Sequence, residues 1–185
     1  LQNIRDYFSN SKDSIHKARN EIKIIDFEGE ELVVKYFKIP NIITKIVYTF
    51  FRDSKAKKSY ENSIKIIDFV PKPIGYVEFK KFGLINKSYF VSENFKYDFT
   101  IREPLKDSTF IDREKIFKTF AHFTFLLHEK GIFHLDYSPG NILIKKLDDE
   151  YLFKIVDINR MEFKPLNLEE RLKNFSKLWA KDEDL

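Results

Sequence analysis

The chain has 185 residues, 43% of them hydrophobic and 34% charged, and a formal net charge of +4. That composition excludes a disordered chain, and the modest charge falls short of the clustered basic footprint of a nucleic-acid binder, so no nucleic-acid partner is expected. The absence of Cys excludes disulfides and thiolate metal sites and suits a reducing compartment.

The longest apolar stretch, Asn41 to Phe51, is interrupted by Lys45 and is far too short to span a bilayer. The chain begins at Leu1 rather than Met and is expected to be a fragment of a longer one. Its 20 Phe promise an aromatic-rich core.

In chain order, Glu21 to Phe27 (EIKIIDF) alternates and is β-branched, and Glu31 to Phe37 (ELVVKYF) follows Gly29, so the pair reads as a hairpin turned at Glu28-Gly29-Glu30. The basic apolar stretch Lys38 to Arg52 reads first as a helix packed on its neighbour, with a membrane surface as the second reading. Ser54 to Ile67, rich in Lys, Ala, Ser and Glu, predicts a helix that stops before Pro71 and Pro73. Ile74 to Phe79 and Lys87 to Glu93 predict a second strand pair around Gly83.

Asp112 is a good N-cap for a long helix whose Ile116, Phe120, Phe123 and Leu127 recur on one face, with Gly131 closing it. Asn141 to Ile144 and Leu152 to Val156 predict a third hairpin, and a closing helix spans roughly Asn167 to Ala180. The order is α+β, with a boundary near residues 94–106.

The chemistry concentrates in GIFHLDYSPGNILI, Gly131 to Ile144, and FKIVDINR, Phe153 to Arg160. Asp136 and Asn141 stand five apart on a turn containing Pro139 and Gly140, and Asp157 ends the next strand sixteen residues after Asn141. Each residue alone is ordinary turn chemistry. Together they supply what phosphoryl transfer needs: one acid, Asp136, to position the attacking hydroxyl and accept its proton, and an oxygen pair, Asn141 and Asp157, for Mg²⁺. His134 is expected to brace the loop from inside. His122 and His128, six apart on the long helix, are assigned to packing or surface.

HLDYSPGN resembles the catalytic loop of the protein-kinase superfamily, and VDINR sits where that family carries its D-F-G. The Pro-Gly-Asn ending is closer to the small-molecule branch, and the run from ARNEIKII through SYFVSE to Asp157, Ile158, Asn159 and Arg160 resembles the bacterial lipopolysaccharide kinases (Kdo/WaaP family) over approximately residues 15–180. The resemblance implies a bilobal protein-kinase-like fold, with an antiparallel-sheet N-lobe at 1–94 and a reduced, mostly helical C-lobe at 95–185. It implies ATP and Mg²⁺ as cofactors, and it makes Lys35 the contact to the α/β-phosphates, Glu61 the helix acid that pairs with it, and Glu93, with Asn94 and Phe95, the hinge that meets adenine. The acceptor it implies is a sugar hydroxyl of lipopolysaccharide core (Kdo or heptose), on a cytoplasmic protein that touches the inner face of the membrane peripherally.

The chain departs from the kinase pattern in several places. No G-x-G-x-x-G precedes the first hairpin, so residues 10–20 read either as its stand-in, with Lys17 and Arg19 reaching phosphates, or as a solvated basic loop. Leu135 and Ser138 replace the Arg and Lys of Ser/Thr kinases, and no A-P-E segment follows. Alternative readings are an aminoglycoside or small-metabolite phosphotransferase and a nucleotide-binding pseudokinase. A protein kinase is disfavoured by the missing A-P-E.

Overall fold

The computed structural model describes residues 3–10, 14–17, 20–39 and 41–178, with backbone alone at 10 and 14–17. The expected phosphate-covering turn falls mostly outside these residues, as do Arg19, the Lys17 side chain and the end of the closing helix at 179–180. The chain divides into two compact units, residues 1–67 with 71–95 and residues 68–70 with 96–185.

The first unit is one antiparallel sheet with helices α1 (Ile4–Asn10), α2 (Ile42–Phe50) and α3 (Lys55–Lys65). Its strands are β1 (Ser14–Lys17), β2 (Asn20–Phe27), β3 (Glu30–Lys38), β4 (Pro73–Lys81) and β5 (Leu84–Glu93), in the spatial order β1-β2-β3-β5-β4. The β2–β3 turn uses two residues, Glu28 (φ 55°) and Gly29 (φ 84°), the paired positive angles that match the twist of a hairpin. One sheet face buries Ile25, Leu32, Val34, Tyr89 and Val91 against Ile4 and Phe8 of α1. The sequence patterns missed α1 and β1, because a short helix and a short edge strand carry too few residues for a periodicity to register.

α2 is a helix lying against β5, as expected, but it is only partly covered: none of its residues is fully buried, while Thr44, Lys45, Val47, Tyr48 and Thr49 are half-buried. Ser54 caps α3 by accepting from the Lys57 backbone N–H at 3.1 Å, and the helix presents Ala56, Ser59 and Ser63 inward.

The second unit holds β6 (Phe99–Thr100), α4 (Arg102–Lys106), α5 (Arg113–Glu129), β7 (Ile132–His134), β8 (Ile142–Leu147), β9 (Glu150–Ile155), β10 (Met161–Phe163) and α6 (Leu168–Phe175), followed by a 3₁₀ turn at Ser176–Leu178. Strands order as β6-β8-β9, and β7 pairs with β10. Along α5, Ile116, Phe120 and Leu127 are buried with Thr124 and His128, close to the predicted face. Phe120 stacks on Tyr137 at 5.9 Å and on Phe153 at 5.8 Å, the aromatic core that the Phe content promised.

Gly131 follows α5 at φ 68°, and a Cβ there would stand 2.7 Å from the Lys164 carbonyl oxygen, so only glycine suits this close crossing. Asp112 occupies the expected cap position but does not cap: its backbone is left-handed and its side chain makes no cap bond. Its carboxylate instead accepts from Tyr151 Oη at 2.7 Å and from Lys146 Nζ at 3.1 Å, bonds that hold its pKa below the usual carboxylate range. Asn167 and Glu170 form a reciprocal capping box at the start of α6.

Candidate functional site

The turn from β7 into β8 is fastened from within. His134 is 1% exposed and bridges two main-chain groups. Its Nδ1 accepts from the Asp136 N–H at 3.0 Å, so its Nε2 carries the proton and donates to the Val156 carbonyl at 3.0 Å. Burial outweighs that bond and pushes the imidazole pKa down, keeping it in this neutral tautomer.

Asn141 closes the other side. Its Nδ2 donates to the Asp136 carbonyl at 2.9 Å, its own N–H donates to Ser138 O, and its carbonyl accepts from the Val156 N–H at 2.9 Å. Val156 is therefore held on both sides, by His134 and by Asn141, and the next residue is Asp157. His134, Asp136, Asn141 and Val156 thus form one closed set of bonds in the second unit.

Within that set the side chains divide by role. Asp136 is half-buried with both its backbone groups taken, and among the described residues nothing bonds its carboxylate. With Asn141 Nδ2 committed to a carbonyl, Oδ1 is the atom turned the other way, a neutral oxygen suited to a hard cation. Asp157 has φ 58°, an uncommon backbone for a residue with a side chain, and its Oδ1 accepts from Asn159 Nδ2 at 2.5 Å. Positive φ at such a position is backbone strain, of the kind that gathers where a side chain has to be aimed.

The closing helix supports the loop in a way that spacing did not reveal. Asn174 is buried. Its Nδ2 donates to the His134 carbonyl at 2.8 Å, and its Oδ1 meets His128 Nε2 at 3.1 Å. Lys177 Nζ donates to the Leu135 carbonyl, one residue before Asp136. His128 belongs to packing, as expected, and His122 is exposed. Tyr137 is fully buried and shares a hydrogen bond with Thr124 Oγ1 at 2.8 Å, locking the loop onto α5.

In the first unit Lys35 is half-buried in β3, with its ammonium 5.2 Å from the Phe37 ring centroid. It pairs in register with Phe90, Phe90 pairs with Tyr76, and Tyr76 meets Tyr60 of α3 at 5.6 Å. Lys35 thus lies on the sheet face that α3 covers. Glu61 is not turned toward it. A helix rotates about 100° per residue, so with Ala56, Ser59 and Ser63 inward, Glu61 points to solvent. Its carboxylate lies 3.7 Å from Lys57, which also pairs with Asp53 at 2.6 Å. The expected Lys35–Glu61 pair is corrected on this ground: close approach of α3 to the sheet selects small inward residues and leaves its one acid outside.

At the end of β5, Glu93 exchanges two bonds with Lys72: its N–H donates to Lys72 O at 2.9 Å, and its Oε1 accepts from Lys72 N at 2.9 Å. The Asn94 N–H donates to Glu31 O at 3.2 Å, and Phe95 follows, half-buried.

No family model matches the chain, and no curated protein matches it. Solved structures do. The chain is similar to WaaP in complex with acyl carrier protein, with TM-score 0.61 and 13% identity, over 95% of this chain and 72% of that one. It is also similar to the Rio2 kinase–ADP/Mg²⁺–phosphoaspartate complex from Chaetomium thermophilum, with TM-score 0.64 and 15% identity, over 94% of this chain and 57% of that one. The fold is α+β and protein-kinase-like, as the sequence motifs implied.

Proposed function

We propose that the chain is an ATP-dependent phosphotransferase that carries the γ-phosphate to an alcohol, with a sugar hydroxyl of lipopolysaccharide core as the acceptor. The observation that supports it most is the closed set of bonds joining His134, Asp136, Asn141 and Val156. It fixes the backbone at a carboxylate with no bonded partner among the described residues, at an amide oxygen, and at Val156, the residue before Asp157 with its positive φ. The kinase-like fold supports the reaction class, and the resemblance of the loop to the lipopolysaccharide kinases supports the acceptor.

The residues fit Mg²⁺. Among the described residues no three His, Asp or Glu side chains gather into a metal cage. Mg²⁺ with nucleotide asks for fewer, one or two carboxylates with phosphate oxygens completing its shell. Asp157 and Asn141 Oδ1 would hold it, and bound there it would neutralise charge on the transferring phosphate.

Asp136 accepts a hydrogen bond from the acceptor hydroxyl, aims its oxygen and takes its proton as transfer completes. His134 positions Asp136 through the backbone, and Lys177 and Asn174 hold the preceding carbonyls. Lys35 offers its ammonium to the α/β-phosphates. The N–H groups of Glu93 and Asn94 are engaged within the first unit, so the adenine donor of the expected hinge falls to Phe95, with Glu93 holding the segment in place.

A nucleotide-binding pseudokinase is the second reading, favoured by one observation: Glu61 faces solvent and does not brace Lys35. Incubation with γ-labelled ATP and Mg²⁺ against three acceptor pools separates the readings. Label in a glycolipid extract supports this proposal, and label in small sugars or aminoglycosides alone moves the acceptor. Tight nucleotide binding with no label in any pool favours the pseudokinase.

A further inference from the structure

Five large apolar side chains of one short segment are turned to water. Ile42, Ile43, Ile46, Phe50 and the following Phe51 are all exposed, Phe51 at 77% and both Ile43 and Phe50 at 69%. The reason is the way α2 is attached. Lys45 and Thr49, four apart and so on one helix face, hold the sheet: Lys45 Nζ donates to Asn86 Oδ1 at 2.5 Å, and Thr49 Oγ1 accepts from the Ile85 N–H at 2.9 Å. A polar attachment on that side leaves Ile43, Ile46 and Phe50, at spacings of three and four, on the outer side. Val47 and Tyr48 are half-buried, so the helix carries apolar residues on both sides, unlike the usual amphipathic helix whose apolar stripe all faces the core.

A second apolar group stands on the same edge of the sheet. The β4–β5 turn has two residues, Phe82 at φ 53° and Gly83 at φ 76°, and Phe82 is 93% exposed. Asn, Asp or Gly suits the first position of such a turn, and an aromatic residue there is strained. Phe82 gains no burial to offset that strain, so the fold itself gives no reason for it. Lys80 and Lys81 precede it, both exposed, with Lys81 Nζ 5.4 Å from the Phe82 ring. An open concavity whose lining includes Phe50, Phe51, Arg52, Glu78, Lys80 and Ile85 lies between the end of α2 and the strands that carry this turn.

Contiguous exposed apolar groups mark an interaction surface, and the charge around these selects the partner. Arg52, Lys80 and Lys81 are exposed; of the two acids lining the concavity, Asp53 is paired with Lys57 and Glu78 is half-buried, so the exposed rim is mainly positive. We infer that α2 and the Phe82 turn form a membrane-docking edge, with Ile43, Phe50 and Phe82 entering the interface and Arg52, Lys80 and Lys81 meeting anionic lipid headgroups. A second copy of this chain fits less well, since it would bring the same positive rim against itself. The inference rests on the first unit's surface alone and stands independently of the phosphotransfer reading.

The test is flotation of the whole chain with phosphatidylcholine vesicles, with and without phosphatidylglycerol. Flotation is expected on the anionic vesicles, with little on the neutral ones. Phe82→Asn is the informative variant, because Asn-Gly is the better turn: the melting temperature should hold or rise while vesicle affinity falls by about tenfold or more. The pair Lys80→Glu with Lys81→Glu should weaken binding to anionic vesicles without loss of fold. Failure to float on anionic vesicles, equal flotation on neutral ones, or wild-type binding by Phe82→Asn overturns the inference. So does a wild-type dimer in solution that Phe82→Asn dissociates, or binding to an acidic protein with no binding to vesicles.

Discussion

In the segment from Gly131 to Asp157, His134, Asp136, Asn141 and Val156 are fastened to one another by bonds to the main chain. On the β3–α3 face, Lys35 is half-buried in the sheet while Glu61 is held by Lys57 on the outer side of its helix. The first arrangement is set by short spacings along the chain, two residues from His134 to Asp136 and five from Asp136 to Asn141. The second depends on the rotational setting of α3, which is fixed by which small side chains let it approach the sheet. Motifs whose geometry is local survive transfer from a family pattern, whereas pairs made across elements have to be checked on the helix that carries them.

The largest effect expected from that contrast is at Asp157. Asp157→Ala should reduce phosphoryl transfer by a factor on the order of 10³, within the range for losing one preorganised electrostatic group. It should also remove the Mg²⁺-dependent part of ATP stabilisation. For the wild-type protein, nucleotide at 100 times its dissociation constant raises stability by about 2.7 kcal/mol, readable as a thermal shift. Equal shifts with and without Mg²⁺ in both proteins would remove Asp157 from the metal site.

Next in size is the split within the other region. Lys35→Ala should lower transfer by about 10²-fold with the fold intact, because it removes charge rather than packing. Glu61→Ala should change it by less than about threefold, since an exposed helix pair such as Lys57–Glu61 contributes only about 0.3–0.5 kcal/mol. Equal large losses in the two variants would show that Glu61 swings to Lys35 when nucleotide binds, and would break the comparison.

A smaller effect concerns acid. Burial lowers the pKa of His134 and of His128, so the unfolded chain binds more protons than the folded one below about 6.5, the ordinary histidine value. Their stabilising contribution is complete above that pH and is lost as pH falls through and below it. The slope is at most about 1.4 kcal/mol per pH unit for each histidine. Urea midpoints measured from neutral to mildly acid pH should fall accordingly, and His128→Asn should flatten the curve while leaving transfer nearly unchanged. A midpoint that rises on acidification would contradict the neutral tautomer assigned to His134.

The strands and the long helix were legible because alternation, caps and turn glycines sit within a few residues of one another: Glu28-Gly29, Ser54 and Gly131 each marked a boundary correctly. Asp112 marked a boundary for the wrong physical reason, since a residue with a left-handed backbone cannot aim its side chain at the first turn, and the carboxylate went to Tyr151 and Lys146 instead. Within the proposed site, the spacing placed Asp136, Asn141 and the bracing His134 on one bonded turn. Asn174 and Lys177 could not, because α6 returns to the loop about forty residues later and nothing in its sequence announces the contact. The outward face of α2 was equally hidden. An apolar helix reads as core until its attachment through Lys45 and Thr49 is seen.

Asp136 tests the central claim most directly. Asp136→Asn preserves shape and the two backbone bonds to His134 and Asn141 while removing the base and its charge. Calorimetry with ATP and Mg²⁺, read beside turnover on the acceptor pool that the wild-type protein labels, should show nucleotide affinity retained and transfer reduced by a factor on the order of 10² or more. Turnover equal to wild type would mean that Asp136 is not the base, and the phosphotransfer mechanism proposed for this loop would be wrong.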